Sequence, residues 1–95
     1  MRITNLEKKV FLKTIQNYDP IADIYLFGSR VDDSLKGGDI DLLVGSDILG
    51  FSEKISILTD IKRIIGDQKI DLLIMKKSEL TIDPFVRTLV IKKLD

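Results

Sequence analysis

Two stretches of this chain repeat one pattern: Ile40-Asp41-Leu42-Leu43-Val44 and Ile70-Asp71-Leu72-Leu73-Ile74. Each is an apolar run of the kind that forms a strand buried on both faces. Each also carries an aspartate at the same place, although aspartate is depleted in strands. Successive strand side chains point to opposite faces. Asp39, Asp41 and Leu43 therefore share one face, and Ile40, Leu42 and Val44 share the other. At about 3.3 Å per residue, the Cα atoms of Asp39 and Asp41 stand roughly 6.5–7 Å apart. If the second run lies beside the first, Asp71 joins the same face. The echo is too short to be a repeat architecture.

A third apolar run ends in Leu26-Phe27-Gly28-Ser29-Arg30, with Ser29 ten residues before Asp39. Gly28 has no side chain, so a phosphate can approach its backbone closely. Ser29 adds a hydroxyl and an N–H, and a helical turn starting there would aim free N–H groups at an anion. Arg30 adds positive charge against a triphosphate. Asp32 and Asp33 read as turn residues, Lys36 as a surface or phosphate-facing charge, and Tyr25 and Phe27 as core.

Three carboxylates gathered in one place repel. Each pair at about 4 Å costs on the order of 4 kcal/mol at an effective dielectric near 20, against roughly 5–15 kcal/mol of net stability for a domain. The cluster must stay wet, take up protons or bind cations. The chain has no histidine and no cysteine, so any metal is held by oxygen, which favours Mg²⁺ or Mn²⁺. Two such ions near 4 Å apart stabilise both the attacking and the leaving oxygen in phosphoryl chemistry.

The length of 95 residues predicts one domain over 1–95, too small for a second lobe that selects substrate. Lys+Arg and Asp+Glu are both 15, so there is no basic footprint and no direct nucleic-acid binding is expected. No apolar stretch approaches membrane-spanning length and no signal-peptide pattern opens the chain, so a cytoplasmic protein is expected. Thr4-Asn5-Leu6-Glu7 is a capping box, with Leu6, Val10, Phe11 and Ile15 as the buried stripe of a helix ending at Asp19-Pro20. Strands are predicted over 21–27, 39–44 and 69–75. Between the last two, Ser52 caps a helix whose Ile55, Leu58, Ile61, Ile64 and Ile65 face the core, with Gly66 at its end. Asp83-Pro84 opens a third helix, given an apolar side by Phe85, Val86, Leu89 and Val90.

Gly28-Ser29, Asp39-x-Asp41 and the later Asp71 together resemble the minimal nucleotidyltransferases of the DNA polymerase β-like superfamily, over roughly residues 22–75. The resemblance implies an α/β (α+β) palm, a small mixed sheet with helices packed on one face. Chains this short are similar to the MNT antitoxins, which pair with a helical HEPN-type toxin, typically a ribonuclease. The resemblance implies that the chain transfers AMP from ATP to a tyrosine hydroxyl of that toxin, within a hetero-oligomer, and silences it. Gly28, Ser29 and Arg30 would bind the triphosphate. Asp39 and Asp41 would hold two Mg²⁺ ions, with Asp71 as the third carboxylate. Asp32-Asp33 stand where many family members have another glycine, and the spacing to Asp39 is about one residue shorter than the commonest form. Two other readings are a nucleotide-binding module that neutralises the toxin by covering it, and a transferase acting on a small molecule or RNA.

Overall fold

Thr4 starts the first helix. Its Oγ1 accepts from the Glu7 N–H at 3.0 Å, and Glu7 Oε1 accepts from the Thr4 N–H at 2.8 Å. This reciprocal cap satisfies two donors that helix geometry leaves orphaned and sets α1 at Asn5–Tyr18. The computed structural model describes residues 2–31 and 38–94. After α1 come β1 (Asp23–Phe27), β2 (Ile40–Gly45), α2 (Phe51–Ile65), β3 (Ile70–Met75), α3 (Pro84–Arg87) and β4 (Lys92–Lys93). Short 3₁₀ turns lie at Gly28–Val31 and Lys77–Glu79.

The sheet is mixed, in the order β3-β2-β1-β4. β1 runs antiparallel to β2 and to β4, while β2 and β3 are parallel and joined through α2. The strand faces divide the residues by chemistry. Ile24 and Leu26, Ile40, Leu42 and Val44, and Ile70 and Leu72 all join one apolar cluster with Val10, Phe11 and Ile15 of α1 and Ile57 and Ile61 of α2. Burying each of these large side chains contributes about 1.5–3 kcal/mol.

The two long helices thus pack on one face of the sheet, as the family resemblance implies. The third element behaves differently. α3 is a single turn, and it reaches the opposite face, where the Phe85 ring meets Phe27. A Cβ built on Gly45 would run into the Leu80 side chain, so the segment after β3 crosses that face closely. Leu43, on this second face, is fully buried, which explains why β2 is apolar on both sides.

Several helical expectations shift. Leu6 and Ile55 are exposed, as is Ile64. At 100° per residue, Glu7 and not Leu6 lies at the centre of the buried stripe Glu7, Val10, Phe11, Thr14, Ile15. In α2 the stripe is Ile57 and Ile61, flanked by Leu58 and Ile65. That helix begins at Phe51 after Gly50, whose N–H donates to Glu53 Oε1 at 2.7 Å, so Ser52 is inside the first turn and not its cap. Gly66, at φ +87°, ends it. β4 was not foreseen; it pairs Lys92 and Lys93 with Leu26 and Tyr25.

Buried polar groups lock the helices to the sheet. Glu7 Oε2 accepts from Gln68 Nε2 at 3.0 Å, tying the start of α1 to the turn before β3. Asp19, almost fully buried at the end of α1, accepts from Ser46 Oγ at 2.5 Å. Ser46 Oγ in turn accepts from the Ile48 and Leu49 N–H groups. Buried polar atoms without partners are costly, and this network supplies them. Among the described residues no helix is long and apolar enough to cross a membrane.

Candidate functional site

The site lies on the second face, at the end of the sheet where β1 finishes and β2 and β3 begin. The antiparallel register sets Phe27 opposite Asp41, and the parallel register sets Asp41 opposite Asp71. Neighbouring strands are roughly 4.8 Å apart, so Phe27, Asp41 and Asp71 form one row on one face.

Gly28 follows Phe27 with φ +74°, a conformation that side chains make unfavourable. It is also pressed against the acid pair: a Cβ on Gly28 would overlap Asp41 Oδ2. Glycine is therefore required here twice, by backbone conformation and by the carboxylate beside it.

Asp41 is half-buried and Asp71 exposed. Burial lifts the Asp41 carboxyl above the usual carboxylate range. A hydrogen bond with Asp71 and the negative charges of Asp71 and Asp39 push the same way, and Lys69 opposes them. A proton shared between two carboxyls is the cation-free answer to their repulsion. Asp39, two residues before Asp41, instead pairs with Lys69 Nζ at 3.4 Å, the lysine largely exposed and the aspartate half-buried. The structure thus brings Asp41 and Asp71 together and turns Asp39 toward a lysine. Among the described residues no three acids converge on one metal position.

The contrast with Asp23, on the same face of β1, is instructive. It has two ammonium partners, Lys93 at 3.3 Å and Lys77 at 3.7 Å. Asp41 and Asp71 have no such ion pair among the described residues. Their donor set is all oxygen, placed beside an open glycine backbone, and it fits a hard divalent cation.

Ser29 begins the turn after Gly28, and its C=O accepts from Arg2 Nη2 at 3.0 Å. Arg30 is committed to the backbone: Nη1 donates to Arg2 O at 2.8 Å and Nη2 to Gly38 O at 2.9 Å. Its buried Nε has no hydrogen-bond partner. Arg30, at the start of the connection from β1 to β2, thereby ties itself to the end of that connection at Gly38 and to the segment before α1. Asp32, Asp33 and Lys36 lie outside the described residues.

Sequence reasoning missed two features. Lys69 reads only as the start of a strand, although its position two residues before Asp71 puts it on the face of the acids. Phe27 reads as core, yet it is half-buried on the acid face, where its ring and that of Phe85 meet edge to face at 6.4 Å and 88°. Strand alternation relative to Leu26 was the available signal.

A family model described as Polymerase beta, Nucleotidyltransferase matches residues 9–91. The chain belongs to this nucleotidyltransferase family. The match runs from within α1 to beyond α3, and so includes the glycine turn and both acid-bearing strands. A nucleotidyltransferase-type function, and with it transferase chemistry, follows from membership. No curated protein matches the chain.

Proposed function

We propose that this nucleotidyltransferase is an antitoxin that moves AMP from ATP to a tyrosine hydroxyl of a HEPN-type toxin and silences it. The observation that carries the reading is the Asp41–Asp71 pair, in register on adjacent strands and set against the bare backbone of Gly28. Asp41 and Asp71, joined by Asp39 once it leaves Lys69, would hold Mg²⁺, or Mn²⁺ in its place, which when bound offsets negative charge at the reacting phosphate.

The chain's own groups do the rest. Gly28 admits the triphosphate to the backbone, and the Ser29 hydroxyl and N–H orient it. Asp71, the most exposed of the acid pair, faces the acceptor and takes the proton from its hydroxyl. The hydroxyl oxygen bonds to the α-phosphorus, the α–β phosphoanhydride bond breaks, and pyrophosphate leaves. Arg30 supports this indirectly, by holding the β1–β2 connection. Among the described residues one sheet carries the acids with no second lobe over them, and a protein partner in a hetero-oligomer would position the acceptor. The balanced charge argues against RNA as acceptor.

A second reading draws on the Asp39–Lys69 ion pair: a catalytically weak module that binds nucleotide and neutralises the toxin by covering it. One experiment separates the two. The chain is co-expressed with the protein encoded beside it, and the intact mass of that protein is measured. One or more added adenylyl groups with the parent chain, and none with Asp39→Asn/Asp41→Asn, is the expected result. Neutralisation without any mass gain, undiminished in the double variant, would overturn transfer in favour of covering.

A further inference from the structure

Phe85 is fixed more firmly than its own packing requires. Its N–H donates to Asp83 Oδ1 at 2.8 Å, and its C=O accepts from Thr88 Oγ1 at 2.6 Å and from the Thr88 N–H at 3.1 Å. The next residue, Val86, is the buried one, and it anchors α3. The Phe85 ring remains 53% exposed. Its edge-to-face meeting with Phe27 leaves aromatic surface open to water. A ring exposed to this extent on a backbone held at both ends is preorganised to stack on something flat.

Its location indicates what. Phe27 is joined directly to Gly28, whose backbone is the phosphate cradle, and stands opposite Asp41. Base and phosphates of a nucleotide arrive joined by a single ribose. A nucleotide with its phosphates at Gly28 and Ser29 must therefore lay its base within one sugar's length of them. The Phe27 backbone begins within that reach, its Cα about 3.8 Å from that of Gly28 and about 5 Å across the strands from that of Asp41, and the Phe85 ring centroid lies 6.4 Å from that of Phe27. An aromatic side chain of the acceptor has no such tether to the cradle.

We infer that Phe85, propped by Phe27, is the stacking platform for the base of the donor nucleotide and favours purines over pyrimidines by their larger ring area. The inference rests on the nucleotide site proposed above. It needs no hydrogen-bond reading of the base, because stacking accepts any π face in proportion to its overlap.

The test is a binding titration in Mg²⁺ with ATP, CTP and inorganic tripolyphosphate. Phe85→Ala and Phe85→Leu should each weaken ATP about tenfold and leave tripolyphosphate unchanged. Phe85→Trp should keep ATP affinity. The chain has no tryptophan of its own, so the introduced indole reports alone: ATP should quench it more strongly than CTP, and tripolyphosphate should not. Phe85→Leu keeps apolar cover without a π face, so it separates stacking from folding. Unchanged ATP affinity in both Phe85→Ala and Phe85→Leu would overturn the platform while leaving the nucleotide site intact, as would equal loss of ATP and tripolyphosphate. Unchanged ATP binding with a raised KM for the protein acceptor would assign the ring to the acceptor and also overturn it. If the parent chain binds neither ATP nor tripolyphosphate, the nucleotide site itself falls, and the platform with it.

Discussion

Gly28 and Asp41 occupy one space: the hydrogen that glycine carries in place of a Cβ lies against Asp41 Oδ2. β1 ends at this point and β2 has just begun, so the antiparallel register that pairs Phe27 with Asp41 also presses the turn after Phe27 onto the carboxylate. The glycine turn proposed to receive phosphate and Asp41 are consequently packed as one unit, and neither can shift without the other.

Gly28→Ala should therefore be costly for two reasons. The φ of +74° imposes roughly 1–2 kcal/mol on a residue with a side chain, and the methyl group must displace Asp41. Asp41→Gly made alongside should restore part of the loss, with a coupling of about 0.5–3 kcal/mol. Urea unfolding of the two single variants and the double variant measures it. Strict additivity would contradict the contact.

Asp41 predicts a pH dependence of metal-free stability. Its carboxyl titrates above its ordinary value of 3.8 in the folded chain. A group raised in this way contributes stability that is fully present below 3.8 and is lost as pH rises through the folded value. Asp41→Asn keeps a group of similar shape that never ionises. Without metal, the variant and the parent should be alike near pH 3.8 and diverge in favour of the variant toward pH 7. The shift in Tm should be no more than about a few degrees, because the site is partly solvated and screened. Thermal unfolding across that range in chelator checks the sign. A variant that loses stability relative to the parent as pH rises would refute it.

Lys69→Ala removes the cation that Asp39 now faces at 3.4 Å. The lysine is largely exposed and the aspartate only half-buried, so stability should change by no more than about 1 kcal/mol. The freed Asp39 should bind divalent metal more tightly, with the gain largest at low ionic strength. Mn²⁺ titration followed by paramagnetic broadening measures it directly. Weaker Mn²⁺ binding in the variant would place Lys69 in the site as a supporter and not a competitor.

Ser46→Ala strips the buried Asp19 carboxylate of its hydroxyl donor and leaves the Ile48 and Leu49 N–H groups without their acceptor. Asp19 is the buried member of the three, and orphaning a buried group costs about 1–3 kcal/mol. A loss of roughly 1–3 kcal/mol in urea unfolding is expected. Less than about 0.5 kcal/mol would show that water replaces the hydroxyl easily.

Local patterns made much of this molecule legible from its sequence. The Thr4–Glu7 cap and the Asp83-Pro84 helix start are chemistry among residues three apart or closer, and they appear where the sequence puts them. The three longer strands were equally readable, because runs such as Ile40–Val44 have few other fates. Helix faces were less so: Leu6, Ile55 and Ile64 are apolar and yet exposed, since the apolar residues of α1 and α2 outnumber the positions that one sheet face can cover.

What residue order determined by itself was which side chains alternate together: Asp39 with Asp41, and Asp71 at the equivalent place in its own strand. It also put the glycine beside the serine. Only the tertiary structure decided that β3 runs parallel to β2 in the register that sets Asp71 opposite Asp41, that Asp39 turns to Lys69, and that Phe85 returns from far along the chain to meet Phe27. The reason is physical. Alternation is a property of each strand's own backbone, whereas register and ion pairing are settled by competition among distant groups for the same neighbours once the core has closed.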